Sequence, residues 1–284
     1  MATRICFFES PLQLKWLAAF ALAISAVAAA ADCSRVISVP AAPTGFSVIT
    51  IGDKVSGVYP VVLRELGAKT GCNFNFPVVP RARLDHMFFK TSEADILIPA
   101  SRSTERDKTA TFVPLIQVAP ALISLKARQL GVTSVKQLAE NRALRGALVR
   151  TFTYGDEYQA LLLELDKDKR IDYVTDLNTV ARMLAAGRVD FTIVAPTLMF
   201  SSLGENPMTA DLNEKLHYIS LDGLKRIDSG AYISRTSLEA SDQEALRKLL
   251  TDSVKTEALW NAFVKYYPPD VLRGVVTRKT QRDN

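Results

Sequence analysis

The sequence predicts an α/β protein built as two lobes. Three observations carry that expectation. Apolar segments of strand length alternate with amphipathic segments of helix length, the alternation restarts near the middle of the chain, and a pair of amphipathic helices closes it. Of the 284 residues 48% are hydrophobic and 23% charged, which supports a substantial core and excludes disorder. The 35 Lys+Arg against 30 Asp+Glu leave a net charge of +5, a mild excess that favours an anionic ligand or surface without identifying one. Charge runs are short and mixed in sign and aromatics are 8%, so nucleic-acid binding is not expected.

The elements follow in order. Val36–Val39 reads as a strand. Val58–Lys69 reads as a helix, with Pro60 in its first turn and Gly71 just past its end. Phe74–Val79 is a strand, Ala82–Lys90 a short helix, and Asp95–Ile98 and Leu122–Leu125 are strands. The second unit opens with Ser134–Asn141, where Ser-x-x-Gln has the form of a capping box. Then come strand Ala147–Val149, helix Asp156–Asp166, strand Ile171–Val174, helix Asn178–Ala186 stopped by Gly187, and strand Asp190–Val194. Ser241–Tyr267 begins with Ser-x-x-Glu and reads as a helix pair ending before Pro268-Pro269, with Trp260 and Tyr266-Tyr267 as packing residues.

Ahead of all this lies an export signal. Arg4 and Lys15 precede Trp16–Ala31, an uncharged run of 16 residues that ends in four alanines before Asp32. A basic start, an apolar stretch and an Ala-x-Ala context read as a cleavable signal peptide, and the run is shorter than the roughly 20 residues that span a bilayer. Cleavage after Ala30 or Ala31 removes Cys6 and leaves Cys33 and Cys72. In an exported chain this pair suggests a disulfide, the alternative being two reduced thiols. Each cysteine sits just before a strand, so adjacent parallel strands would bring them together. Asp32 argues against lipid modification of Cys33. His86 and His217 make no metal-ligand pattern with the cysteines, and no cofactor is implied. Phosphate-loop, dinucleotide, nucleophile-elbow and zinc-protease motifs are absent from the sequence.

Two segments point to a binding site. In the first, the strand Asp95–Ile98 runs into Ser101-Arg102-Ser103-Thr104-Glu105-Arg106, followed by Phe112-Val113-Pro114. Hydroxyls, turn N–H groups and a guanidinium suit a carboxylate, although a helix cap beside a solvated arginine has the same local chemistry. In the second, Arg150-Thr151-Phe152-Thr153-Tyr154-Gly155-Asp156 again links a strand to a helix and could face the first across a cleft.

At these residues the chain resembles the family-3 extracellular solute-binding proteins, the polar amino-acid type of ABC transporter. Asp95, Ser101, Ser103, Arg106 and Phe112 match that family's first-lobe motif, and Gly187-Arg188-Val189-Asp190 matches an element before a second-lobe strand. The resemblance covers roughly residues 45–268. It implies a two-lobed periplasmic binding protein fold of type II, with two α/β lobes joined by a two-strand hinge. Arg106 is then the clamp for a ligand carboxylate, Ser101 and Ser103 supply further polar contacts, and Thr153 is the second lobe's donor. Two departures matter. Ile193-Val194-Ala195-Pro196 lacks the acid that the family uses for a ligand ammonium, and Thr151 replaces a glycine. Pro80-Arg81-Ala82-Arg83 resembles a divergent branch. Tyr59, Tyr154 and Arg81 are further ligand candidates, each with a plain alternative in packing or solvation; Arg83 and Asp156 are weaker ones.

The expected organisation is a signal peptide over 1–31, lobe one over 32–125 and again 222–284, and lobe two over 126–221. Crossover strands are expected near 122–126 and 220–233. The implied function is periplasmic capture of a small anionic or zwitterionic solute by a monomer that delivers it to a membrane permease, without catalysis. Alternatives on the same fold are a periplasmic sensor and an enzyme of the cyclohexadienyl-dehydratase type, for which Asp156 and Glu157 are the second-lobe acids at hand.

Overall fold

Two β-sheets organise the chain, and the route between them decides where a ligand can sit. The computed structural model describes Met1 and residues 33–150, 152–204, 209, 211–272 and 276–278. The expected signal peptide, apart from Met1, and Thr151 lie outside the described residues.

The strand β1 (Ile37–Ser38) is followed by a two-stranded hairpin, β2 (Ile49–Ile51) and β3 (Lys54–Ser56), then α1 (Val58–Thr70), β4 (Phe74–Asn75) and α2 (Arg81–Phe89). Next come β5 (Ile96–Ser101), the short α3 (Thr104–Asp107) and the long β6 (Ala110–Val118). The chain then enters β7 (Ala121–Leu125), α4 (Val135–Glu140), β8 (Gly146–Val149), α5 (Asp156–Lys167), β9 (Ile171–Val174), α6 (Leu177–Ala185) and β10 (Phe191–Val194). After α7 (Pro196–Gly204), α8 (Leu212–Lys215) and β11 (Leu216–Ile219), it returns through β12 (Ile227–Ser234) to α9 (Ala240–Lys255), α10 (Ala258–Tyr266), α11 (Pro269–Leu272) and β13 (Val276–Arg278).

The first sheet runs β13-β6-β12-β5 and the second β11-β7-β10-β8-β9. The stretch 122–126, expected as a crossover, lies almost wholly within β7, which pairs antiparallel with both β10 and β11. The chain changes sheets at Ala119-Pro120, where Pro120 has no N–H to extend a ladder. On the way back, Asp222 still exchanges backbone bonds with Thr133 and Val135, so the return falls between Gly223 and β12.

Local chemistry explains most element ends. Ser134 caps α4 by accepting from the Gln137 N–H at 3.2 Å, but the Gln137 side chain reaches back to the Thr133 N–H at 2.8 Å, one residue earlier than a standard box. Gly187, at φ 65°, lets Gly187 and Arg188 donate to the carbonyls of Leu184 and Met183 and close α6. Ser241 does not cap the C-terminal helix; α9 starts a residue earlier, behind Glu239, with no side-chain cap. The expected strand 74–79 shortens to Phe74–Asn75 with an isolated bridge at Val78, because Pro77 and Pro80 interrupt the ladder.

Parallel pairing of β1 with β4 sets Ile37 opposite Phe74, and the residues just ahead of the two strands form the disulfide Cys33–Cys72. Asp95, buried at the head of β5, ties three segments together. It accepts from Arg35 at 2.7 Å, from the Ser38 N–H at 2.8 Å and from the Ser237 hydroxyl at 2.7 Å. Burial pushes its carboxyl pKa up, but these hydrogen bonds and the Arg35 charge outweigh that and hold it below the ordinary value. The core is continuous: Val62, Leu63 and Phe263 of the first lobe and Leu122, Leu148 and Phe191 of the second belong to one buried cluster. A smaller cluster under α2 gathers Leu84, Met87, Phe88, Leu97 and Tyr232.

Candidate functional site

A cleft lies between the two lobes, about 620 Å³ of space that includes open solvent. The first lobe supplies Thr44 and Ser47 from the loop ahead of β2, Tyr59 from the start of α1 and Arg81 from the start of α2. It adds Pro99, Ala100 and Ser101 from the end of β5, and Arg106. Ile116, Val118, Ser229 and Phe263 complete that side. The second lobe contributes Phe152, Thr153 and Tyr154 after β8, and Ala195, Thr197 and Leu198 where β10 turns into α7.

Six of the seven expected ligand residues therefore meet at one place: Tyr59, Arg81, Ser101, Arg106, Thr153 and Tyr154. Ser103 does not line this cleft. Its hydroxyl accepts from the Arg106 N–H at 3.3 Å and caps α3, while its own N–H donates to the Tyr232 hydroxyl at 3.1 Å. Arg83 is exposed and faces Glu93 at 3.7 Å. Arg102 pairs with Asp107 at 2.8 Å, and Asp156 accepts from the Thr104 hydroxyl at 3.2 Å; neither lines the cleft.

The two cleft arginines differ. Arg106 Nη2 donates to both carboxylate oxygens of Asp85 at 3.2 Å, and Nη1 donates to the Ser101 carbonyl at 3.4 Å. Arg81 Nη1 donates to the Thr44 hydroxyl at 3.3 Å, and its guanidinium lies 5.2 Å from the centre of the Phe152 ring across the cleft. No carboxylate among the described residues forms an ion pair with Arg81. Burial lowers the Arg81 pKa, Asp85 raises it, and the neighbouring Arg106 lowers it again.

The hydroxyls are arranged around these charges. The Ala195 N–H donates to the Tyr154 hydroxyl at 3.2 Å, which leaves the phenol its proton to give. Burial pushes the pKa of both Tyr154 and Tyr59 up, so both phenols stay protonated. Thr153 accepts from the Gln159 side chain at 2.8 Å and keeps its own O–H. Tyr59 packs edge-on against Phe263, with ring centres 5.9 Å apart, and presents its hydroxyl beside Ser229. The remaining lining joins the hydroxyl residues Ser47 and Thr197 to apolar Pro99, Ile116, Val118 and Phe263. None of the described residues lining the cleft is acidic. Chemically the described lining offers two guanidinium groups, hydroxyls from both lobes and apolar surface.

Sequence reasoning missed Thr44, Ser47, Phe152, Thr197 and Ser229. The first two reach the cleft because the Ser47 and Phe46 carbonyls accept from the first N–H groups of α1, at Tyr59 and Val58, which holds this loop on the helix start, a link that no sequence motif marks. Asp85 was legible, since it stands four residues after Arg81 on one helix.

No family profile and no curated sequence matches the chain. Solved structures do match in fold. A histidine kinase sensor domain with similarity to periplasmic binding proteins aligns with TM-score 0.66 at 17% identity, covering 86% of this chain and 98% of that one. The GluR0 ligand-binding core in complex with L-glutamate aligns with TM-score 0.65 at 16% identity, covering 83% and 99%. The amino acid ABC transporter substrate-binding protein AbpA from Streptococcus pneumoniae Canada MDR_19A, bound to L-arginine, aligns with TM-score 0.63 at 18% identity, covering 81% and 93%. The chain has the two-lobed periplasmic binding protein fold of type II.

Proposed function

We propose that this chain is an exported binding protein that captures a small carboxylate-bearing solute between its lobes and delivers it to an ABC transporter permease. The observation that carries this reading is the cleft itself, with two guanidinium groups, hydroxyls from both lobes and no acid among its described lining residues. Only a closed arrangement offers a ligand Arg81 and Arg106 from one lobe and Thr153 and Tyr154 from the other, so binding favours closure. The fold shared with the Streptococcus pneumoniae substrate-binding protein supports a transport role.

An α-amino acid is the weaker ligand. Its ammonium would need a carboxylate, and the stretch that ends β10, Val194-Ala195-Pro196, has none to give. An organic acid without an ammonium matches the charge. The enzymatic alternative is disfavoured for a related reason: Asp156 bonds to Thr104, Glu157 pairs with Lys225 at 2.6 Å, and neither carboxylate lines the cleft to act as acid or base. The sensor reading keeps one specific support, the fold shared with a histidine kinase sensor domain.

Export through the signal over residues 1–31 accords with the disulfide, since such bonds persist in oxidising compartments. The lobes are proposed to divide at Ala119-Pro120 and between Gly223 and β12, these two crossings forming the hinge. The test is native mass spectrometry of the protein recovered from a bacterial periplasm, followed by calorimetric titration of whatever is released. A mature chain beginning at Ala31 or Asp32 and carrying an organic anion is expected. A bound cation, or a retained N-terminus, would overturn the respective half of the reading.

A further inference from the structure

Behind the cleft wall, Asp85 sits one helical turn after Arg81 on α2 and holds the Arg106 guanidinium with both oxygens at 3.2 Å. It does not line the cleft. Its other side faces an outer groove shared with His86, Lys90 and Glu105. The Asp85 side chain is 36% exposed and that of Arg106 16%; Arg106 lines both the cleft and the outer groove, while Asp85 lines the groove alone, so the carboxylate backs the guanidinium from the outer side. Among its described lining residues the cleft thus offers two cations, one of which is already paired from behind.

We infer that Asp85 sets the charge of the ligand: it leaves the cleft one net positive charge, and so selects a monocarboxylate over a dicarboxylate. This rests on the reading of the cleft as a carboxylate site. Two facing guanidinium groups without a counterion would favour two negative charges on the ligand. With Asp85 in place, a second ligand carboxylate would find, among the described lining residues, hydroxyls, apolar groups and a cation that is already paired, so its desolvation would be only partly compensated. Burial lowers the proton affinity of the Arg81 guanidinium while the Asp85 charge opposes that, consistent with one carboxylate acting on both arginines.

The experiment compares full-length mature wild type with Asp85→Asn, Asp85→Ser and Asp85→Glu. Calorimetric titration is run with chain-matched pairs, butyrate against succinate and pentanoate against glutarate. Wild type is expected to prefer the monocarboxylate of each pair. A unit charge a few ångströms away in a partly desolvated site changes affinity by roughly tenfold or more. Asp85→Asn and Asp85→Ser should therefore shift the dicarboxylate-to-monocarboxylate affinity ratio at least about tenfold towards the dicarboxylate. Asp85→Glu should keep the wild-type order. Two neutral residues of different shape guard against a folding defect in either, and apo melting curves report one directly. If both neutral variants weaken every ligand equally and leave the ratio unchanged, Asp85 only positions Arg106 and the inference fails. A wild type that prefers dicarboxylates overturns it as well. A wild type that binds no carboxylate of either kind overturns the carboxylate site first, and this inference with it.

Discussion

At the scale of single residues, the two cleft arginines carry different loads, and mutation should separate them. Arg106 is embedded: it pairs with Asp85, donates to the Ser101 carbonyl and lies 5.8 Å from the Phe89 ring centre. Arg81 has a hydroxyl and an aromatic face for company, but no ion pair among the described residues. Its charge is costly without ligand and most useful with one. Arg81→Gln is therefore expected to weaken an organic-anion ligand by about 2–4 kcal/mol while leaving the apo protein as stable or slightly more so. Arg106→Ala is expected to weaken the ligand by a similar amount and also to lower apo stability, by about 1–2 kcal/mol, since it strands a partly exposed Asp85. Arg106→Lys should recover only part of the binding, because an ammonium cannot reproduce the fork that meets two carboxylates. Titration of ligand beside denaturant unfolding of the apo forms reads both quantities. An Arg81→Gln protein that binds normally would move the anion anchor to Arg106 alone.

At the scale of elements, legibility followed local chemistry. Helix α1 was readable from Pro60 and Gly71, which mark its ends, and α6 from Gly187. The pairing of Cys33 with Cys72 followed from two strand starts. Strand β6 escaped because Pro114 and Gln117 break its alternation; its place in the sheet comes from β12 and β13, far along the chain. The β2–β3 hairpin was available in principle, its Gly52-Asp53 turn joining Ile49–Ile51 to Lys54–Ser56. The cleft was legible where a motif stood on one loop, as with Ser101 and Arg106. It was illegible where contact is made only in three dimensions, as with Thr44, Phe152 and Ser229. The loop ahead of β2 shows what such contact does. Gly45 has φ 53°, and a Cβ there would lie 1.8 Å from the Ser201 hydroxyl oxygen on α7 of the opposite lobe. Phe46 beside it meets Phe200 edge-on with ring centres 6.5 Å apart. Gly45→Ala is therefore expected to push the lobes apart, the methyl meeting the Ser201 side chain, as well as to impose a left-handed backbone on alanine, itself worth about 1 kcal/mol. The expected result is a larger radius of gyration by small-angle scattering and a ligand affinity at least about tenfold weaker, from a closure penalty of roughly 1.4 kcal/mol or more. Unchanged scattering and affinity would mean that the Ser201 rotamer absorbs the methyl.

At the scale of the whole molecule, the cross-link and the cleft are separate devices. The disulfide Cys33–Cys72 spans a sequence separation of 39 and fastens the start of the first lobe beside β1 and β4. Neither cysteine lines the cleft, and Ser34, next to the bridge, bonds instead to Asp242 of α9 at 2.6 Å. The bridge therefore acts on the ends of the first lobe and on the unfolded chain, and leaves the lobe-to-lobe contacts as they are. In the loop-entropy account, closing about 40 residues removes unfolded-state freedom worth up to about 4 kcal/mol. At roughly 2–4 °C per kcal/mol for a chain of this size, reduction is expected to lower the apo Tm by about 5–15 °C. Ligand binds the folded state alone, so its stabilisation depends only on the ratio of its concentration to Kd. The ligand's contribution to unfolding free energy at 25 °C should accordingly be the same in oxidised and reduced protein, so that ligand raises the Tm of both, and the Kd at 25 °C should not move. Scanning calorimetry with and without a reductant, each at one fixed ligand concentration, measures the two shifts independently. A reduced protein that keeps its Tm would show that the strand pair and the Ser34–Asp242 contacts already order this corner. One that loses affinity in step with stability would tie the corner to the cleft through the shared core that joins β1 and α1 to Phe263.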